Sequence, residues 1–235
     1  MNTADILREL QPLGKASYKK VLFNHGVREP VWGVKIEDLK KIQRRVKKDH
    51  QLALELYDTG IYDLQYLAGL IADERRMTRR DLQRWLAKAN CAPLCGSVVA
   101  WVAAESEPGY ELALKWIDAK EERAAHTGWT TLGSLVAIRD DAELDLLTLK
   151  ALLKRIEKTI HDQPNQVRYA MNGFVIAVGS YVASLTEMAL ASGEKIGRVE
   201  VDMGATACQV PFAPDYIRKV QARGTIGKKR KTARC

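Results

Sequence analysis

Ile36, Leu39, Ile42 and Val46 recur at spacings of three, three and four residues, the period of one buried face of a helix. The same rhythm runs through most of the chain. Apolar stripes, breakers and caps predict helices over Ala4–Leu10 (capped by Thr3), Ala16–Phe23, Ile36–Val46, Leu52–Tyr57, Tyr62–Ala72 and Arg79–Ala89 (capped by Thr78). Beyond the middle they continue over Pro93–Glu105, Tyr110–Ile117, Lys120–Ile138, Ala142–Ile160 (capped by Asp140), Asn165–Val178, Leu185–Ile196 (capped by Ser184) and Pro214–Ala222. Gly128 and Gly133 read as interruptions of the long helix that contains them. Only Arg198–Met203 alternates as a strand would, and 198–212 reads as either a short hairpin arm or an extended loop.

An all-α chain of helix pairs joined by short turns follows. The spacing, roughly 35–45 residues per pair, is that of helical solenoids, with an irregular bundle as the alternative. One stretch is different in kind. In Lys88–Glu105, Val98, Val99, Trp101, Val102 and Ala103 leave almost no polar face, so the segment is expected to be buried on several sides. Between Asp81 and Glu105 there is no carboxylate at all.

The chain has 235 residues, enough for one large core, and reads as a single domain over 1–223 followed by a basic tail over 224–235. The net charge of +8 changes the picture only when it is located. Tyr216–Cys235 holds eight Lys and Arg and no acid, so residues 1–215 sum to zero. The tail, with no apolar stripe, is expected to be mobile and to reach an anionic partner through Lys228, Lys229 and Arg230. Two helical runs are also basic: Lys40, Lys41, Arg44, Arg45, Lys47 and Lys48, and Arg75, Arg76, Arg79, Arg80 and Arg84. Such runs are either solvated faces or surfaces that track phosphates.

Four cysteines without a C-x-x-C pair do not form a disulfide framework, and no apolar run approaches a bilayer span. A cytoplasmic protein without membrane contact, metal or small-molecule cofactor is expected. Cys91 and Cys95 stand four apart, but two thiols fall short of a zinc site, and buried cysteines used as small apolar residues fit better. Arg123 precedes Ala124–Ala125, where a phosphate could approach; pairing with Glu121 or Glu122 is the competing reading.

Three segments in order carry a resemblance. They are Trp32-Gly33-Val34-Lys35-Ile36-Glu37-Asp38-Leu39-Lys40-Lys41-Ile42, Trp116-Ile117 with Arg123-Ala124-Ala125, and Arg168-Tyr169-Ala170-Met171-Asn172-Gly173-Phe174-Val175-Ile176. Over roughly residues 30–180 the chain resembles the AlkD-type DNA glycosylases of the DNA alkylation repair family. The resemblance implies a right-handed α-α superhelix of HEAT-like pairs and double-stranded DNA as partner. It makes Arg123 a phosphate contact, puts an aromatic at the lesion near Phe174, and places Arg168, Lys40, Lys41 and Arg44 on the DNA side. Active members excise N3- or N7-alkylated purines with an Asp flanked by Trp. Here those positions fall at Cys95 and Cys91, so no catalytic residue is assigned.

Three functions follow. The first is a monomeric DNA-binding protein of this family without standard glycosylase activity. The second is an active glycosylase using another carboxylate, such as Glu105, Glu121 or Glu122. The third is a protein-interaction scaffold, a common use of helical solenoids.

Overall fold

A computed structural model describes residues 1–234; residue 235, the end of the expected tail, lies outside the described residues. Among the described residues there are thirteen α-helices and no β-strand. They are α1 (Thr3–Leu10), α2 (Ala16–Asn24), α3 (Ile36–Val46), α4 (His50–Asp58), α5 (Tyr62–Ile71), α6 (Arg79–Lys88), α7 (Ala100–Glu105), α8 (Gly109–Trp116), α9 (Glu122–Ile138), α10 (Leu146–Thr159), α11 (Asn165–Tyr181), α12 (Thr186–Ile196) and α13 (Ala213–Ala222). No single helix is long and apolar enough to cross a membrane.

Caps explain where several helices begin. Thr78 and Asp81 form the reciprocal box that opens α6. At α1 the cap is Asn2, not Thr3: Asn2 is extended and accepts the Asp5 N–H, while the Thr3 hydroxyl donates to Glu55 at 2.8 Å. At α10 the cap is Asp145, not Asp140. Asp141–Glu143 closes a separate 3-10 turn, and Asp145 Oδ1 accepts from Leu147 and Thr148. Ser184 likewise lies inside a 3-10 turn, Ala183–Leu185, and α12 starts after it without a side-chain cap.

The chain divides into two compact units. The first comprises residues 1–109, 204–206 and 234. Its hub is α5, in which every residue is buried. Leu94–Val99 forms a π-helical turn running into α7, so the segment expected as one α-helix from Pro93 is wound in two ways. The π turn turns Leu94, Cys95, Val98 and Val99 inward. Gly69 lets α5 reach it, since a Cβ there would lie 2.7 Å from Val98 Cγ1. Tyr57 stacks on Trp85 at 4.1 Å and donates its hydroxyl to the Trp85 carbonyl.

The second unit comprises residues 110–203 and 207–233. Its centre is α9 against α11. Gly128 is a contact rather than an interruption, because a Cβ there would lie 2.7 Å from Ile117 N and 2.9 Å from Ala113 O. Glu157 of α10, with a side chain only 1% exposed, gathers Lys154, Ser192 and Lys195 at 2.7, 2.7 and 2.8 Å. Residues 198–212 are irregular, assigned to neither helix nor strand, with bends at 205–206 and Gly204 at φ +64°. Asn165 brackets Asp202 through its amide donor and its carbonyl oxygen, and Asn172 donates to Pro211 O at 2.9 Å.

The basic tail is not mobile. Gly227 N–H donates to Ser180 O at 2.9 Å and Arg230 N–H to Ala137 O at 2.8 Å. Lys229 Nζ reaches Val136 O and Asp141 Oδ1, both at 2.8 Å. Arg234, in the first unit, donates to Leu70 O, Ala72 O and Glu74 Oε2 at 3.3, 3.1 and 2.8 Å, with Glu105 Oε2 3.4 Å from its Nε. The expectation of mobility came from the missing apolar stripe. Specific polar partners and one buried methyl, Ala233 at 1% exposure, anchor the segment instead.

Candidate nucleic-acid interface

Helix α3 carries its stripe inward through Leu39 and Ile42 and its cations outward. Some of those cations already have partners. Lys41 donates to Asp38 and Arg45 to Glu9, each at 2.6 Å, and Lys48 donates to Glu74. Burial pushes the Glu74 carboxyl up, but Lys48 and Arg234 outweigh it and hold Glu74 below its ordinary value. Lys40, Arg44 and Lys47 make no ion pair among the described residues. The second run splits in the same way. Arg84 and Lys88 share Asp58 at 3.4 and 2.8 Å, whereas Arg75, Arg76 and Arg80 are exposed and carry no ion pair among the described residues. The two basic runs therefore offer six cations to an outside anion.

In the second unit Arg123 is exposed at the first turn of α9, its Nε 2.6 Å from Glu121 Oε1. Such an exposed pair is worth well under about 1 kcal/mol, so a phosphate can compete for the guanidinium. Glu122 accepts the Gln166 N–H at 2.8 Å and so joins the start of α9 to the start of α11. Arg168 lies on that first turn of α11, with a long 3.4 Å bond to Asn165 and a buried Nε lacking a hydrogen-bond partner. Phe174 is elsewhere. It is fully buried, edge-on to Trp129 at 5.4 Å. A ring without exposed surface cannot stack on a base, so Phe174 is a core residue and not a DNA contact. Of the tail residues, Lys229 is spoken for by Asp141, while the side chains of Lys228 and Arg230 are exposed.

The position that the resemblance gives to a catalytic Asp is closed. Cys95 is 0% exposed, with its Sγ 4.0 Å from Ala89 O. Cys91 is buried as well, and burial pushes its thiol up, away from a thiolate. Neither side chain is a reachable nucleophile. Among the described residues no three His, Cys, Asp or Glu side chains gather to hold a metal ion.

The three acids that could stand in for the missing Asp are occupied. Glu105, 15% exposed, faces Arg234. Glu121 caps α9 by accepting the Ala124 N–H and pairs with Arg123. Glu122 holds Gln166.

One residue had not been singled out. Asp63 is fully buried and accepts the N–H groups of Trp32 at 2.6 Å and Val34 at 2.7 Å. Burial outweighs those donors and pushes its carboxyl above its ordinary range. The signal in the sequence was an acid inside the apolar run Tyr62–Ile71, where a solvated side chain has no room.

Comparison with known proteins places this geometry. A model of a family described as DNA alkylation repair enzyme matches residues 6–207. An uncharacterized protein of Listeria innocua is 33% identical over 220 residues, which cover 92% of this chain and 95% of the relative. An uncharacterized protein of Listeria monocytogenes is 32% identical over the same shares. A solved structure described as a new family of proteins related to the HEAT-like repeat DNA glycosylases, with affinity for branched DNA structures, matches 100% of both chains at TM-score 0.92 and 34% identity.

Proposed function

This chain belongs to the DNA alkylation repair enzyme family, and from that membership we propose that it is a DNA-binding protein that holds duplex and branched DNA by its backbone and does not cleave glycosidic bonds. The observation that carries this reading is the fully buried Cys95 where a catalytic carboxylate is needed. Departure of an alkylated purine builds positive charge on the sugar, and a preorganised anion stabilises it. A buried thiol supplies none, and Glu105, Glu121 and Glu122 are held by Arg234, the α9 terminus and Gln166.

Binding rests on the uncommitted cations Lys40, Arg44, Lys47, Arg75, Arg76 and Arg80 in the first unit and, separately, on Arg123 and Arg168 in the second. Phosphate contacts of this kind give affinity without sequence preference and a steep loss with salt. The protein acts as a monomer, in the cytoplasm, on double-stranded arms.

The test pairs two measurements on the same preparation. Release of N3- and N7-methylpurines from methylated DNA is expected at the uncatalysed rate, while binding to duplex and to a four-way junction falls steeply with salt. Robust excision refutes the first half, and salt-independent or absent binding refutes the second. Cys95→Asp alone is not expected to restore excision. It would bury an unpaired carboxylate in a fully enclosed position and destabilise the first unit instead.

A further inference from the structure

We infer that the loop Val31–Lys35 is a rigid mount for Trp32, which stacks on the open face of a terminal base pair at a DNA branch point. The inference rests on the DNA-binding reading above and names the part of the DNA that this surface takes.

The loop is held from every side within the first unit. Tyr62 N–H donates to Pro30 O at 2.9 Å and Val31 N–H to Glu29 Oε2 at 2.9 Å. Lys15 N–H donates to Gly33 O at 3.1 Å, and Asn90 donates to Glu29 O at 3.1 Å. Asp63 takes the Trp32 and Val34 N–H groups, one on each carboxylate oxygen. Gly33 has φ +79°, and a Cβ there would lie 2.7 Å from Lys15 O, so the loop fits against α2 only with glycine at that place. A fully buried carboxylate spent on two backbone N–H groups is a costly fastener for a loop that needs only to connect two helices. It makes sense where the loop must present a side chain in one position.

That side chain is Trp32. Of the five tryptophans, Trp85, Trp101, Trp116 and Trp129 are 0 to 7% exposed, and Trp32 alone is only half-buried. Among the described residues it stacks on no other ring, and its indole N–H has no partner. Gly14 lies against it, with the site of a Gly14 Cβ 3.2 Å from Trp32 Cβ. Two further apolar side chains are exposed next to these segments in the chain, Leu13 before Gly14 at 39% and Ile36 after Lys35 at 36%. Two exposed cations belong to the same place: Lys15, whose N–H meets Gly33 O, and Lys35, the last residue of the loop, whose exposed pair with Glu37 at 3.5 Å is weak. A half-exposed indole flanked by cations suits the end of a base stack flanked by phosphates. Continuous duplex exposes no such end, whereas a junction does.

The experiment uses the full chain, a four-way junction with 2-aminopurine beside the branch, and a duplex of the same sequence, with every arm end of both closed by a hairpin loop so that only the branch can offer an open base-pair face. Junction binding is expected to quench the protein's tryptophan emission and the 2-aminopurine, and duplex binding to leave both nearly unchanged. Trp32→Phe should abolish the tryptophan quench. Trp32→Ala should weaken junction binding about tenfold with duplex affinity intact. Asp63→Asn, which keeps one acceptor oxygen and loses the other, should reproduce part of that loss, with circular dichroism confirming the fold. A junction complex without quench, or an unchanged junction-to-duplex ratio in Trp32→Ala, overturns the inference and leaves the DNA-binding reading standing. Failure of the unmodified protein to bind either DNA overturns both.

Discussion

Helix α3 and the segment Lys228–Arg234 are both crowded with lysine and arginine, and both look like arms for an anion. In α3 and the residues after it, half-buried Lys40 and exposed Arg44 and Lys47 have no acid to hold them among the described residues. In the C-terminal segment, Lys229 is 2.8 Å from Asp141 and Arg234 is wrapped by Glu74, Glu105 and two carbonyls that end α5. The difference lies in where the acids are. Asp38 within α3, and Glu9 and Glu74 outside it, hold only half of these cations. The C-terminal segment meets carboxylates and free helix-end carbonyls that need a donor. Equal charge density therefore serves binding in one place and anchoring in the other.

Truncation after Gly227 should give the largest effect. It leaves Glu74 and Glu105, 14% and 15% exposed, without Arg234. A stability loss of about 3 kcal/mol in urea unfolding is expected, with duplex affinity reduced far less than five lost cations would suggest. If the truncated protein keeps its midpoint and instead loses most of its DNA affinity, the segment is an arm after all.

Glu157 extends the contrast to a carboxylate that commits two lysines. Burial would raise its carboxyl, but hydrogen bonds from Lys154, Lys195 and Ser192 take it down to about 2 from 4.5. A depressed folded-state value stabilises above the unfolded value and is lost as pH falls through the folded one. Stability from this site should hold above pH 4.5 and drain away toward pH 2. Glu157→Gln should cost about 2 kcal/mol at pH 7 and flatten that part of the stability–pH curve. A variant as acid-sensitive as the parent would remove Glu157 as the cause.

The smallest effect on stability, and the most specific for binding, is expected at α3. Replacing Lys40 and Arg44 together by Ala should shift stability by no more than about 0.5 kcal/mol, because neither has a partner to lose. It should lower the slope of log affinity against log salt by about 2. Replacing Lys41 and Arg45, which are engaged with Asp38 and Glu9, should lower that slope less. Equal slopes for the two pairs would show that ion pairing within the chain does not decide which cations reach phosphate.

Helix periodicity was legible along the chain because an amphipathic stripe is a local property. The stripes of α3 and α6, the Thr78 cap and the buried character of Val98–Ala103 needed no neighbour to be recognised. The absence of a carboxylate between Asp81 and Glu105 was equally plain. Other features depended on residues far apart in sequence. Phe174 went to the core because Trp129, on another helix, was there to meet it. Asp63 became the fastener of the Trp32 loop from 31 residues away. The fate of each cation was decided in the same way. A lysine in the sequence is a charge, and only the folded chain determines whether an acid has already reached it. Coulomb attraction acts over a few ångströms in space and takes no account of order along the backbone.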